Sequence, residues 1–241
     1  MSNFVLLHGG AAGSWIWNPV RDLLRARGHS VTSVTFTGFA ERRHLIGKDV
    51  NQDVHVIDVV NTLIFEDIED AVLVGHSYSG SVLPGVVAAA SERIRRVVFL
   101  DALECHEGES VAEAMGFLSR EQCAQTVVAL QNGAVPVESG VAEQQREQAK
   151  QEPLLMSAER QAWVLEHLSD MPTRATVSPV AIGAESLKRA VDYIACTQTI
   201  MVPQRERARA LGWSVHMLDG DHAVLVGDPE ATADLLEQLA H

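Results

Sequence analysis

The chain has 241 residues, 46% of them apolar and 21% charged, and 19 basic against 32 acidic side chains give a formal charge of −13. A chain of this length buries roughly 70–75% of its unfolded surface, enough for one large core, so one main domain is expected. The negative balance repels phosphate backbones, and Arg93, Arg95 and Arg96 form too small a basic cluster to follow one; neither nucleic acid nor a membrane is an expected partner. Cys105, Cys123 and Cys196 are odd in number and contain no CxxC pair, which fits reduced thiols, with no metal and no cofactor expected. The apolar run of residues 4–7 stops at His8-Gly9-Gly10, short of a secretory signal core, and no run is long enough to span a membrane. A cytoplasmic location is the expectation.

In chain order, residues 4–7 form the first strand pattern. After Trp17, Val20, Leu23 and Leu24 fall on one helical face, with Gly28 placed to end that helix. Residues 31–36 form the second strand pattern, and Val54, Ile57, Val60 and Ile64 mark the apolar face of the next helix. Glu66, Asp67, Glu69 and Asp70 read as a solvated loop before the third strand at 71–74. Val82, Leu83, Val86 and Val87 then mark a helix, and 97–100 a fourth strand. From 104 the rhythm breaks. Glu, Gln and Ala dominate, helical stretches fall near 110–131, 141–151 and 157–169, and Pro136, Pro153, Pro172 and Pro179 punctuate them. Strand patterns return at 191–195 and 215–218, and Leu235, Leu236 and Leu239 mark the last helix. Strand alternating with helix predicts an α/β fold with a mostly parallel central sheet flanked by helices, its core formed by 1–103 and 180–241 and its cap by an inserted helical segment, 104–179.

Three places carry chemistry. The run Ala71-Val72-Leu73-Val74-Gly75-His76-Ser77-Tyr78-Ser79-Gly80 drives a buried strand into a helix through small residues around Ser77, the context of a nucleophile elbow. Its departure from G-x-S-x-G is Ser79, with Gly80 following. The loop His8-Gly9-Gly10-Ala11-Ala12-Gly13 fits neither dinucleotide nor P-loop spacing. It can bring backbone amides to a ligand oxygen, and Gly10 and Tyr78 are the natural pair for an oxyanion hole. His222, in Gly220-Asp221-His222 between the last strand and the last helix, holds the place of a general base. His8, His55, His76 and His106 have no such argument and read as hydrogen-bonded or surface histidines.

With these residues in view the chain resembles the α/β-hydrolase superfamily, in its compact branch of plant methylesterases, hydroxynitrile lyases and small bacterial esterases. The resemblance spans nearly the whole chain and rests on Phe4-Val5-Leu6-Leu7-His8-Gly9-Gly10 with Trp15 and Trp17, on Thr37-Gly38-Phe39-Ala40-Glu41-Arg42, on the Ser77 run and on Gly220-Asp221-His222. It implies Ser77 as nucleophile, His222 as base and the Gly10 and Tyr78 amides as oxyanion hole. It also implies a triad acid at 199, where this chain has Thr199, which can hold an imidazole by a hydrogen bond but cannot offset its charge. Asp101, at the end of the fourth strand, and Glu104 are the two carboxylates that could take over, Asp101 being favoured. The branch's lyases carry a lysine beside the histidine; Ala223 stands there, which argues against cyanohydrin cleavage.

The leading expectation is a cofactor-free serine hydrolase of a small apolar ester, thioester or lactone. A tailoring enzyme using His222 as a plain base for cyclisation, proton transfer or C–C cleavage, and a ligand-binding relative without catalysis, are the alternatives. The partner is expected to be a small apolar carbonyl substrate; Trp15, Trp17, Met115, Phe117, Leu118, Met156 and Trp163 could line an apolar pocket for it, although core packing is the readier account of each alone, and a homodimer is compatible with the sequence.

Overall fold

Six parallel strands form one sheet in the order β2-β1-β3-β4-β5-β6 in the computed structural model, which describes residues 1–240. They are β1 (Asn3–Leu7), β2 (Ser30–Val34), β3 (Ala71–His76), β4 (Ile94–Leu100), β5 (Val191–Gln198) and β6 (Ser214–Asp221). Each of the six strand patterns in the sequence thus becomes a strand, and the α/β class is borne out.

Alternation along the strands sends side chains to two apolar layers. Phe4, Leu6, Val72, Val74, Val98, Leu100 and Ile194 face α1 (Asn18–Ala26) and the last helix, through Val20, Leu24 and Leu236. Val5, Leu7, Leu73, Val97, Phe99 and Tyr193 face α2 (Gln52–Phe65) and α3 (Leu83–Ala90), through Val59, Leu63 and Val86. The end of α1 follows the sequence reading, since Gly28 takes φ +88 just past it, a conformation that costs glycine little.

The buried face of α2 does not follow it. Ile57 is 57% and Ile64 43% exposed, while Gln52, His55, Val59 and Leu63 are buried. Polar bonding turns the helix: Gln52 donates to the carbonyls of Ala175 (2.8 Å) and Ser178 (3.3 Å), and His55 is held between Thr37 and Tyr78. A rule that counts only apolar residues misses a helix whose inward face carries a histidine and a glutamine.

Between β4 and β5 lie α4 (Val111–Ala114), α5 (Arg120–Gln131), α6 (Val141–Gln151), α7 (Ala158–His167) and α8 (Thr173–Val177). The helical stretch near 110–131 is two helices, divided where Gly116 takes φ +71 and Ser119 caps the second by accepting from the Gln122 amide. After β5 comes α9 (Val202–Ala210), which the strand and helix patterns left unmarked, and after β6 come α10 (Val224–Gly227) and α11 (Pro229–Leu239).

Candidate active site

The sharp turn at the end of β3 is set by contacts that leave no room for larger residues. A Cβ on Gly75 would lie 2.8 Å from Leu83, and one on Gly80 would lie 2.2 Å from the Leu103 carbonyl oxygen. Ser79, where the elbow motif has glycine, is tolerated because its hydroxyl lies 2.8 Å from the His76 carbonyl and 3.1 Å from that of Leu7. Ser77 itself takes φ +54, in the left-handed region that a serine adopts only when its surroundings enforce it. The Ser77 carbonyl accepts from the Leu103 amide at 3.0 Å, which ties the elbow to the chain leaving β4.

His222 follows β6 directly, and its ring lies between two of the residues singled out from the sequence. Nε2 is 2.8 Å from Ser77 Oγ, and Nδ1 is 2.7 Å from Asp101 Oδ2. With Nδ1–H donating to the carboxylate, Nε2 is left to accept the serine proton. Asp101 is fully buried, at φ +42 just past β4, and its Oδ1 accepts from the Cys196 amide at 3.1 Å. Burial pushes its carboxyl up, but the bond and charge of His222, the Thr199 hydroxyl and the Cys196 amide together hold it below the usual carboxylate range.

Thr199 does not touch His222. Its hydroxyl donates to Asp101 Oδ2 at 2.5 Å, the same oxygen that faces the imidazole, because the ends of the paired strands β4 and β5 bring the two side chains together. A threonine there could have bonded the imidazole directly; instead it bonds the carboxylate oxygen that faces the imidazole. Glu104 lies apart from His222, fully buried against Arg207 and His106.

The loop after β1 abuts the elbow. A Cβ on Gly9 would lie 2.9 Å from Ser77 Cβ, and one on Gly10 would lie 3.9 Å from Tyr78 Cβ and 3.2 Å from Met171 Sδ. Gly10 and Tyr78 are therefore neighbours, with the buried Met171 over them. Met171, contributed by the insertion, has no motif around it and went unmarked in the sequence.

Three of the four histidines given no catalytic argument, His8, His55 and His76, are buried in hydrogen bonds to the scaffold. His55 donates through Nε2 to the Thr37 carbonyl at 3.0 Å and accepts through Nδ1 from the Tyr78 hydroxyl at 2.7 Å; burial lowers its pKa to about 4. His8 donates to the Gly9 carbonyl and accepts from the Phe36 amide, and burial lowers it to about 3. His76 donates to the His222 carbonyl at 2.9 Å, while burial and then the charge of His222 lower it to about 3. The Thr37–Arg42 motif is structural in the same way. Asp58 accepts from the Thr37 amide (2.6 Å) and from Arg42 (3.1 Å), and Ser169 accepts from the Ala40 amide (2.8 Å), which pins the loop after β2 to the insertion.

Of the apolar residues offered as a pocket lining, Trp15, Trp17, Met156 and Trp163 gather on one face of the sheet core, while Met115, Phe117 and Leu118 lie apart from them. Trp17 is fully buried under the sheet, Trp15 packs edge-on to Trp163 at 5.1 Å, Phe117 is 70% exposed, and Leu118 joins a small cluster with Ala112, Cys123 and Val177. Met115 packs against one face of the sheet core, and Met156 against the other. Size and hydrophobicity marked these residues, and neither property says which layer a side chain enters. Two cavities of about 420 and 250 Å³ lie elsewhere, the first between α2, α3 and residues 180–182, the second beside Asp221 and Val224.

The model of the alpha/beta hydrolase family matches residues 4–235. A carbendazim-hydrolysing esterase of Nocardioides is 30% identical over 99% of this chain and all of its own length. Polyneuridine aldehyde esterase of Rauvolfia serpentina is 32% identical over 42% of this chain and 39% of its own. Among solved structures, an extracellular alpha/beta-hydrolase from a Paenibacillus species superposes with a TM-score of 0.76 at 23% identity, over 99% of this chain and 98% of that one. The order of the sheet, the elbow at the end of β3 and the match over nearly the full length agree: the chain belongs to the alpha/beta hydrolase family, in the branch that includes the plant methylesterases.

Proposed function

We propose that this protein is a cofactor-free serine hydrolase that cleaves a small apolar ester, thioester or lactone. The observation that carries the reading is the His222 ring, within hydrogen-bond distance of Ser77 Oγ on one side and Asp101 Oδ2 on the other. The relatives named as esterases, one of them matched over its full length, support ester hydrolysis as the activity.

In this reading Ser77 Oγ attacks the substrate carbonyl carbon as its proton passes to His222 Nε2. The carbonyl oxygen gains the charge, and the backbone amides of Gly10 and Tyr78 stabilise it. His222, now an imidazolium held by ionised Asp101, returns the proton to the leaving alcohol, thiol or ring oxygen as the acyl bond to it breaks. Water activated by His222 then releases the acid from Ser77. The plain-base tailoring reading drew its motive from the missing carboxylate at 199, and Asp101 against Nδ1 removes that motive.

A fluorophosphonate probe tests the proposal. The wild-type chain is expected to be labelled once, at Ser77, with loss of ester turnover, and Ser77→Ala to be neither labelled nor active. A folded wild-type protein that takes no label and turns over no aryl ester, or an unreduced rate in Ser77→Ala, would overturn it.

A further inference from the structure

Where the helical insertion leaves and rejoins the sheet core, three side chains with metal-binding atoms converge. Glu104 Oε1, a nitrogen of His106 and a carboxylate oxygen of Glu185 all lie within 4.8 Å of one another. Glu104 is fully buried. Its Oε2 faces Arg207 at 3.4 Å, and the same guanidinium is committed to Glu109 at 2.6 and 2.8 Å. Its Oε1 has no hydrogen-bond donor: His106 Nε2 lies 3.1 Å away but is not directed along a hydrogen bond. A buried carboxylate oxygen without a donor is costly unless something positive meets it. Burial pushes the Glu104 carboxyl above its usual range, against the pull of His106 and Arg207.

We propose that Glu104, His106 and Glu185 bind a divalent cation of the zinc class at this neck. One imidazole and two carboxylates suit a borderline ion of that kind better than calcium or magnesium, which prefer oxygen alone. Ligands around tetrahedral zinc stand about 3.4 Å apart, close to the present Glu104–His106 separation, and Glu185 lies within 4.8 Å of both, so binding draws its carboxylate inward. Glu185 is exposed, with one oxygen accepting from the Glu107 amide at 2.9 Å, and His106 is also exposed, so the cation enters directly from water. The Lys188 ammonium donates to the Glu185 backbone carbonyl at 3.3 Å, not to its carboxylate. The two strands of the neck are already joined by Gly108 N–H to the Val180 carbonyl and Ala184 N–H to the Cys105 carbonyl, and the cation would clamp the same junction through side chains. The ligands come from opposite ends of the insertion, which is why their spacing in sequence carries no metal signature.

The full-length protein, stripped with chelator, is to be titrated with zinc chloride by calorimetry, with thermal unfolding followed in parallel. The expected result is one saturable site and a raised unfolding midpoint. His106→Ala and Glu185→Gln, both surface changes checked for folding by circular dichroism, are each expected to weaken binding at least tenfold. His222→Ala, which removes a half-exposed imidazole beside a carboxylate at a different place in the fold, is expected to leave it intact. Absence of saturable binding in the wild type overturns the proposal, as does binding indifferent to both neck variants or lost with His222→Ala alone.

Discussion

Asp101 accepts from an imidazole, a hydroxyl and a backbone amide: His222 comes from the end of β6, and the Thr199 hydroxyl and Cys196 amide from the end of β5. Charge-assisted bonds of this kind are roughly twice as strong as neutral ones and fix direction as well as energy. The carboxylate thereby holds the Nδ1–H tautomer of His222, the one that leaves Nε2 free for Ser77. Asp101→Asn keeps the shape, removes the charge and favours the wrong tautomer. It is expected to lower kcat toward an aryl ester on the order of 10³- to 10⁴-fold with little change in KM, and a loss below tenfold would remove Asp101 from the mechanism. Thr199→Val, which deletes one of three donors to the carboxylate and leaves the charge, is expected to cost only about tenfold or less. Ser77 and His222 were legible in the sequence because each sits in a local motif. Between Asp101 and Glu104 the sequence favoured Asp101 by its place at the end of the fourth strand but left Glu104 open, because Asp101 turns the chain at φ +42 and no periodicity rule says where the next three side chains point.

Elements are held to each other by close approach at a few backbone positions. The elbow between β3 and α3 packs on the chain leaving β4 at Gly80, where a Cβ would overlap the Leu103 carbonyl oxygen at 2.2 Å. Leu103 is also the donor to the Ser77 carbonyl and lies two residues beyond Asp101, so the same contact ties the Ser77 turn to the segment that carries Asp101. Gly80→Ala is expected to lower the unfolding midpoint and to reduce kcat by more than the stability loss explains, read by comparing the rate of fluorophosphonate labelling with the folded fraction at 25 °C. A variant with wild-type labelling rate and midpoint would show that the backbone can yield there. At this scale the four inner strands were readable because buried parallel strands are short, largely apolar runs, and the edge strands β2 and β6 by the apolar residues that recur along them. The faces of helices were less so. The periodic apolar set on α2 points partly to water, since His55 and Gln52 claim the inward face through hydrogen bonds that a hydrophobicity count does not register.

For the molecule as a whole, the charge of −13 is less informative than the way charges are paired. The basic cluster is neutralised locally, Arg93 by Glu69 at 2.6 Å, Arg95 by Asp70 at 3.2 Å and Arg96 by Asp192 at 2.8 Å, and the first two pairs are too exposed to add much stability. The larger electrostatic effect is buried. His8 and His76 have pKa values near 3 and His55 near 4, in each case chiefly through burial, so all three are neutral in the folded protein over a range where the unfolded chain protonates them near 6.5. Their folded values are depressed. Above about pH 7.5 both states are neutral and these groups impose no cost, whereas as the pH falls the unfolded state gains protons that the folded state refuses. Glu104, whose carboxyl burial raises, works in the opposite sense, taking a proton in the folded state first and offsetting at most one of the three. The unfolded state should therefore bind a net two to three extra protons near pH 5, a slope of about 3–4 kcal/mol per pH unit. Urea unfolding measured at pH 7.5, 6.5, 5.5 and 5.0 is expected to show a small fall in the midpoint over the first step and a steep fall over the last two. A midpoint constant down to pH 5 would mean that water or a rearranged partner reaches these rings. Because His8 and His76 flank the loop and elbow that carry Gly10 and Ser77, loss of labelling at Ser77 should track that fall once the pH drops below 6.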